Sequence, residues 1–162
     1  MKYSYDKIIT LSELHKALTR WRLLDRKVVF TNGCFDLLHA GHIEYLEQCR
    51  YKGDRLIIGV NDDDSVRRLK GDKRPIQDVQ TRTRLLAALE FVDVVIVFSE
   101  DTPIKLIKEI RPDILMKGGD YKIEDIVGGE FVASYGGKVE TAVLTEGEST
   151  TELINRITQL MQ

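Results

Sequence analysis

Apolar runs of strand length alternate along this chain with amphipathic stretches of helical period. Val28–Thr31, Arg55–Val60, Val94–Phe98, Ile114–Lys117 and Lys138–Thr141 read as strands. Most are apolar without a break, as expected of strands covered on both faces. Helices are expected at Gly41–Tyr51, Thr81–Leu89, Pro103–Ile110, Ile123–Tyr135 and Ser149–Met161. One more precedes the first strand, at Leu11–Leu24, with Leu14, Ala17, Leu18, Trp21 and Leu24 on one face and Ser12 as its cap. Strands joined through helices need right-handed crossovers, which predicts an α/β fold: one Rossmann-like, doubly wound parallel sheet with an N-terminal helix.

The 162 residues suffice for one well-filled core. The expected organisation is one domain over 1–162, with 1–26 as a helical extension and 27–162 as the core. A formal charge of −2 makes no case for nucleic acid or an anionic membrane as partner. Met1 to Asp6 lack the apolar stretch of a secretory leader, and no run approaches the roughly 20 apolar residues of a membrane span. Two cysteines, Cys34 and Cys49, give neither a disulfide framework nor a metal-ligand spacing. Together these predict a soluble, cytoplasmic protein.

The chemistry concentrates in Phe30-Thr31-Asn32-Gly33-Cys34-Phe35-Asp36-Leu37-Leu38-His39-Ala40-Gly41-His42. A strand runs into a turn, and the turn opens a helix. Free N–H groups and the helix dipole make such a junction an anion site. His39 and His42, three apart, share one face of the first turn, and Gly41 removes a side chain that would obstruct a phosphate. Ligands of doubly wound sheets bind at the carboxyl ends of the strands. Asn61-Asp62-Asp63 follows the second expected strand, and Lys117-Gly118-Gly119-Asp120 ends the fourth, so three segments converge on one rim.

Other candidates have weaker contexts. Arg67, Arg68, Lys70, Lys73 and Arg74 form a cationic run, and Gly71 and Pro75 predict a mobile loop over Leu69–Pro75 that brings Lys70 to a phosphate. Arg67 and Arg68 read as surface residues. Arg82 falls in a first helical turn, where a cation opposes the dipole unless an anion compensates. Ser149 or Thr150 caps the last helix, whose N-terminus is a second place for phosphate.

His-Ala-Gly-His resembles the His-x-Gly-His motif of the nucleotidyltransferase superfamily. The longer run Thr31–His42, with Val60-Asn61-Asp62-Asp63, Arg68-Leu69-Lys70-Gly71-Asp72, Lys117-Gly118-Gly119-Asp120-Tyr121 and Ser149-Thr150-Thr151, is similar to the D-glycero-D-manno-heptose 1-phosphate adenylyltransferases, over roughly residues 10–160. Related cytidylyltransferases carry an arginine where this chain has Leu144.

The resemblance implies transfer of AMP from ATP to a sugar 1-phosphate, with Mg²⁺ riding on ATP and no protein-held metal. It implies catalytic roles for His39, His42 and Lys70. Nucleotide contacts fall to Asn32, Gly33, Cys34, Phe35 and Gly41, to Lys117, Gly118 and Asp120, and to Ser149, Thr150 and Thr151. Asp36, Asn61, Asp63, Arg74, Arg82 and Gly119 are left for the acceptor. It further implies a homodimer, ATP and the sugar phosphate as the only other partners, and a separate kinase to supply the acceptor. Two alternatives stay open: a cytidylyltransferase of glycerol or another polyol phosphate, and a nucleotide-binding domain without turnover.

Overall fold

The computed structural model describes residues 4–119, 122–143 and 149–161. Five parallel strands form one sheet: β1 (Val28–Gly33), β2 (Arg55–Asn61), β3 (Val94–Phe98), β4 (Ile114–Gly118) and β5 (Lys138–Ala142). Their order is β3-β2-β1-β4-β5, so the winding direction reverses between β1 and β4. The doubly wound parallel sheet expected from the apolar runs is present.

Successive side chains of each strand enter opposite cores. Val29, Leu56, Ile58, Val60, Val95 and Met116 pack on one face, against Leu46 and Cys49 of α2 (Ala40–Tyr51) and Leu86 and Ala87 of α4 (Val79–Ala88). Val28, Phe30, Ile57, Val94, Ile96 and Leu115 face the other way. They meet Leu14 and Leu18 of α1 (Leu11–Leu23), Ile107 and Ile110 of α5 (Ile104–Ile110), and Val132 of α6 (Gly129–Ala133). The sheet is sandwiched between two helical layers.

Several local expectations change. Thr10, not Ser12, caps α1: the Glu13 amide donates to Thr10 Oγ1 at 3.4 Å, and the Thr10 amide donates to Glu13 Oε2 at 2.8 Å. The helix expected over 123–135 is divided into a 3₁₀ turn, Ile123–Asp125, and α6, because Gly128 sits at φ 87°, a left-handed conformation no helix interior accepts. A helix that the apolar pattern did not show, α3 (Asp63–Lys70), covers much of the cationic run. Asp62 caps it by accepting from the Ser65 amide at 2.7 Å; acids fill its first turn and bases its last, as the dipole favours. Leu69 and Lys70 are thus helical, and the loop proper begins at Gly71, φ 92°. The last helix, α7, spans Thr150–Leu160.

Because Thr10 satisfies the first-turn donor, Thr10→Ala should destabilise the protein by about 1 kcal/mol. Ser12→Ala should stay within about 0.5 kcal/mol. Urea denaturation of both variants checks the assignment, and equal effects would contradict it.

Candidate functional site

β1 carries Asn32 and Gly33 to the carboxyl rim, and the chain turns through Cys34-Phe35-Asp36 before entering α2. Phe35 adopts φ 48°, a left-handed conformation disfavoured for a bulky residue. Its ring is held from both sides. It lies under Gly33, where a Cβ would approach it to 3.1 Å, and 5.3 Å between centroids from His42. Asp36 is buried and accepts from the amides of Ile76 and Gln77 at 2.8 and 2.9 Å, while its other oxygen pairs with Arg74 Nε. The loop after Gly71 is therefore moored at residues 74, 76 and 77, while Leu69 and Lys70, expected in the loop, belong to α3.

His39 is the N-cap of α2 but makes no side-chain cap bond, which leaves that helix start open toward the rim. The His39 and His42 rings lie 3.9 Å apart between centroids, tilted by 34°. Burial, followed by the neighbouring His39, pushes His42 down to about 4, with a backbone hydrogen bond to Leu37 opposing. Across the winding reversal, Lys117 Nζ reaches the Asn32 carbonyl at 3.4 Å, and burial pushes its pKa down to about 8. The Cys34 thiol is pushed up by burial, with Lys70, Arg82 and Arg74 pulling back, so it carries a proton at neutral pH.

These groups border one cleft of about 610 Å³. From β1 and α2 it is lined by Asn32, Gly33, Cys34, Phe35, Asp36, His39, Gly41 and His42. Asn61, Lys70 and Arg74 contribute from the β2 side, and Lys117 and Gly118 from β4. Ser149, Thr150 and Thr151 bring the start of α7 to the same cleft, so two helix N-termini converge there. Lys70 is the exposed last residue of α3. Asp120 lies outside the described residues, as do Tyr121 and Leu144.

Three expected acceptor ligands stand elsewhere. Gly119 and Asp63 do not line the cleft, and Arg82 is fully buried behind it. Arg82 Nε donates to Gln77 O at 3.0 Å and Nη1 to Cys34 O and Asn61 O at 2.6 and 2.8 Å, while Nη2 pairs with Asp63 at 2.7 Å. That carboxylate and three carbonyls are the compensation that its place near the helix start required. The arginine holds loops together, with its guanidinium closed off from solvent. Asp36, with both oxygens engaged, also positions the chain around it. Arg68, read as a surface residue, braces the next loop through Asp101 at 2.7 Å and Ser99 O at 2.6 Å.

The cleft also contains residues that the sequence pattern did not single out. Tyr45 Oη sits 2.5 Å from Thr31 Oγ1 and donates to Met116 O at 3.2 Å, pinning α2 to β1 and β4 at their junction. Its spacing of three from His42, on one helix face, was the available signal. Asp101, Thr102, Pro103, Asp125, Ile126 and Val127 line the remainder, and no sequence signal marked them.

Residues 30–156 match the cytidylyltransferase-like family model. The chain belongs to the cytidylyltransferase-like family. It is 53% identical over 150 residues to the bifunctional protein HldE of Koribacter versatilis, covering 93% of this chain and 31% of that protein. Against the bifunctional protein HldE of Pseudomonas aeruginosa it is 53% identical over 152 residues, covering 94% of this chain. The chain spans only 32% of the Pseudomonas protein. Among solved structures, the lipopolysaccharide core biosynthesis protein of Thermoplasma volcanium superposes with a TM-score of 0.61 at 32% identity, over 74% of this chain and 97% of that one. Pantoate–β-alanine ligase of Francisella tularensis, complexed with β-γ ATP and β-alanine, has a TM-score of 0.61 at 17% identity, over 96% and 79%. That last likeness shows a shared fold. In this member of the cytidylyltransferase-like family, then, the open start of α2 with its two imidazoles lies at the winding reversal of the sheet.

Removing the Arg82 guanidinium leaves three carbonyls and a carboxylate without their donor. Arg82→Ala should therefore cost about 3–5 kcal/mol in unfolding free energy. Unchanged stability with a raised KM would instead mark it as a ligand. For His42, NMR titration of the imidazole in the free protein should place its midpoint well below 6, leaving it neutral at pH 7. Since the unfolded chain binds that proton between about 4 and 6.5, this group withdraws stability as pH falls through that window. A midpoint at or above 6.5 would contradict the assignment.

Proposed function

We propose that the protein transfers AMP from ATP to D-glycero-D-manno-heptose 1-phosphate, forming ADP-heptose and pyrophosphate. The observation that carries this reading is the close His39–His42 pair at the start of α2, inside a cleft that also receives Lys70, Lys117 and the start of α7. The family match supports nucleotidyl transfer. The run Thr31–His42, and the Thermoplasma lipopolysaccharide core biosynthesis protein among the structural neighbours, support a sugar phosphate acceptor.

An oxygen of the acceptor phosphate attacks the α-phosphorus of ATP in line. The bond to the β-bridging oxygen breaks, and its electron pair leaves on pyrophosphate. A phosphate monoester has a second pKa near 6, so the nucleophile is already deprotonated at neutral pH and no general base is needed. The site must instead align two anions and disperse the charge on the transferring phosphoryl group. His39 and His42 donate N–H bonds to its oxygens, the helix starts supply backbone N–H groups, and Lys70 and Lys117 offset the repulsion. Cys34, protonated, offers no covalent route.

Among the described residues, no three His, Cys, Asp or Glu side chains could hold a metal ion together. Asp36 and Asp101 are already engaged by arginines. This donor set fits Mg²⁺ carried on phosphate oxygens, where it neutralises charge, rather than Mg²⁺ caged by protein. Backbone groups near Gly118 and the start of α7 read the base, and they favour adenine.

Incubation with each nucleoside triphosphate and both heptose 1-phosphate anomers, followed by mass spectrometry, tests the reading. ADP-heptose should form, with ATP preferred over CTP by about 100-fold or more in kcat/KM. His39→Ala and His42→Ala should each lower kcat by about 10²–10³, since each removes a donor to the transition state. A preference for CTP would overturn the assignment and move the protein to the polyol phosphate branch.

A further inference from the structure

The cleft changes character from one end to the other. Histidines, Lys117 and the starts of α2 and α7 gather around β1 and β4. In the order β3-β2-β1-β4-β5, the carboxyl end of β3 lies two strand spacings, about 10 Å, from β1 on the side away from β4. Asp101 and Thr102, just after β3, line the cleft there.

A second wall is brought over from beyond β4. Ile126 is buried with Leu106 and Ile107 of α5, and Gly128 approaches so closely that a Cβ there would lie 2.7 Å from Ile107 Cδ1. The segment Asp125–Val127 is thereby seated on the helix that follows Thr102. Leu69, from α3, lines the same cleft. Arg68 ties Asp101 and the Ser99 carbonyl back to α3, so the loop after β3 is braced.

Two properties of these residues restrict what they can bind. The exposed Asp125 carboxylate repels phosphate oxygens, and Asp101, its charge paired with Arg68 through Oδ1, keeps its second carboxylate oxygen to accept from a ligand hydroxyl. Leu69 and Val127 are 46% and 41% exposed, apolar side chains bordering an open cleft. Carboxylate and hydroxyl oxygens accept from ligand hydroxyls, and the apolar side chains suit the C–H faces between those hydroxyls. An uncharged polyhydroxylated body matches both. In-line transfer makes the same demand, because the acceptor approaches the α-phosphorus from the side opposite the departing pyrophosphate.

We propose that Asp101, Thr102 and Asp125, with Leu69 and Val127, form the subsite for the polyhydroxylated part of the acceptor and set which sugar phosphate is used. The inference rests on the nucleotidyl transfer proposed above and adds to it the residues that read the sugar.

The test measures KM for heptose 1-phosphate, KM for ATP and kcat in Thr102→Val and Asp125→Asn. Each should raise the acceptor KM roughly tenfold, the loss expected for one hydrogen bond to a charged or buried partner, with the ATP KM unchanged. Acceptor KM values within twofold of wild type in both variants would overturn the subsite. A rise shared by ATP would overturn it too, because it would mark damage to the whole cleft. Two substitutions on separate loops keep the test decisive if one variant fails to fold. Wild-type turnover separates the two claims. If glycerol 3-phosphate is accepted and heptose 1-phosphate is not, the functional reading fails, and the same variants must still raise KM for the polyol phosphate if the subsite is right.

Discussion

A single guanidinium, removed entirely from solvent, ties together the chain segments that surround the cleft. Arg82 binds the carbonyls of Cys34, Asn61 and Gln77 and the carboxylate of Asp63. These acceptors lie after β1, at the end of β2, in the loop before α4 and at the start of α3. A buried charge is tolerated only when its donors are met, and here the acceptors are themselves loop groups that would otherwise need partners. The bond set is mutual, so the loops cannot shift independently. Asp36 extends the same logic: two amides and Arg74 converge on one buried carboxylate one residue after the left-handed Phe35. The strained backbone at Phe35 persists because its neighbours on both sides are fixed. That residue carries the chain from β1 into the helix that bears the histidines.

Against this frame, two basic groups that face the cleft have been moved away from their solution behaviour in one direction. Burial holds His42 neutral and depresses Lys117 to about 8. Both shifts record the same cost, that of placing positive charge where water is scarce. An anionic ligand reverses that cost. With phosphate bound, the Lys117 ammonium is favoured, so nucleotide affinity should be strongest below about pH 8 and should weaken above it as the free protein loses that proton. A phosphate bound there would supply the counter-charge that burial denies these groups. This agrees with a reaction whose difficulty is the approach of two anions.

Much of the architecture was legible in the sequence. β1 to β4 are largely buried on both faces and so read as apolar runs, and the Thr31–His42 run falls at the carboxyl rim where the cleft opens. The failures have physical causes. α3 has only Val66 and Leu69 as large apolar residues, and its stability comes from the Asp62 cap and from dipole-matched charges, which periodicity does not register. The break at Gly128 depends on contact with Ile107, a residue distant in sequence. Arg82 and Asp36 were assigned to the acceptor through the resemblance; that the Arg82 guanidinium and the Asp36 carboxylate bond to the surrounding loops is decided by tertiary packing. The far wall, Asp101 to Pro103 and Asp125 to Val127, is assembled from two loops with no motif in either.

The two ends of the cleft therefore differ in how freely they can change. Around the histidines, replacing Arg82 or Asp36 would unseat the loops that hold α2 in place. At the far end, Asp101, Thr102, Asp125 and Val127 are exposed on loops whose seating depends on other residues, Ile126 and Arg68 among them. Exposed substitutions of that kind typically alter stability by only a few tenths of a kcal/mol. The helix starts and the winding reversal are supplied by topology, and the loop after β3 and the segment before α6 remain free to specify what enters.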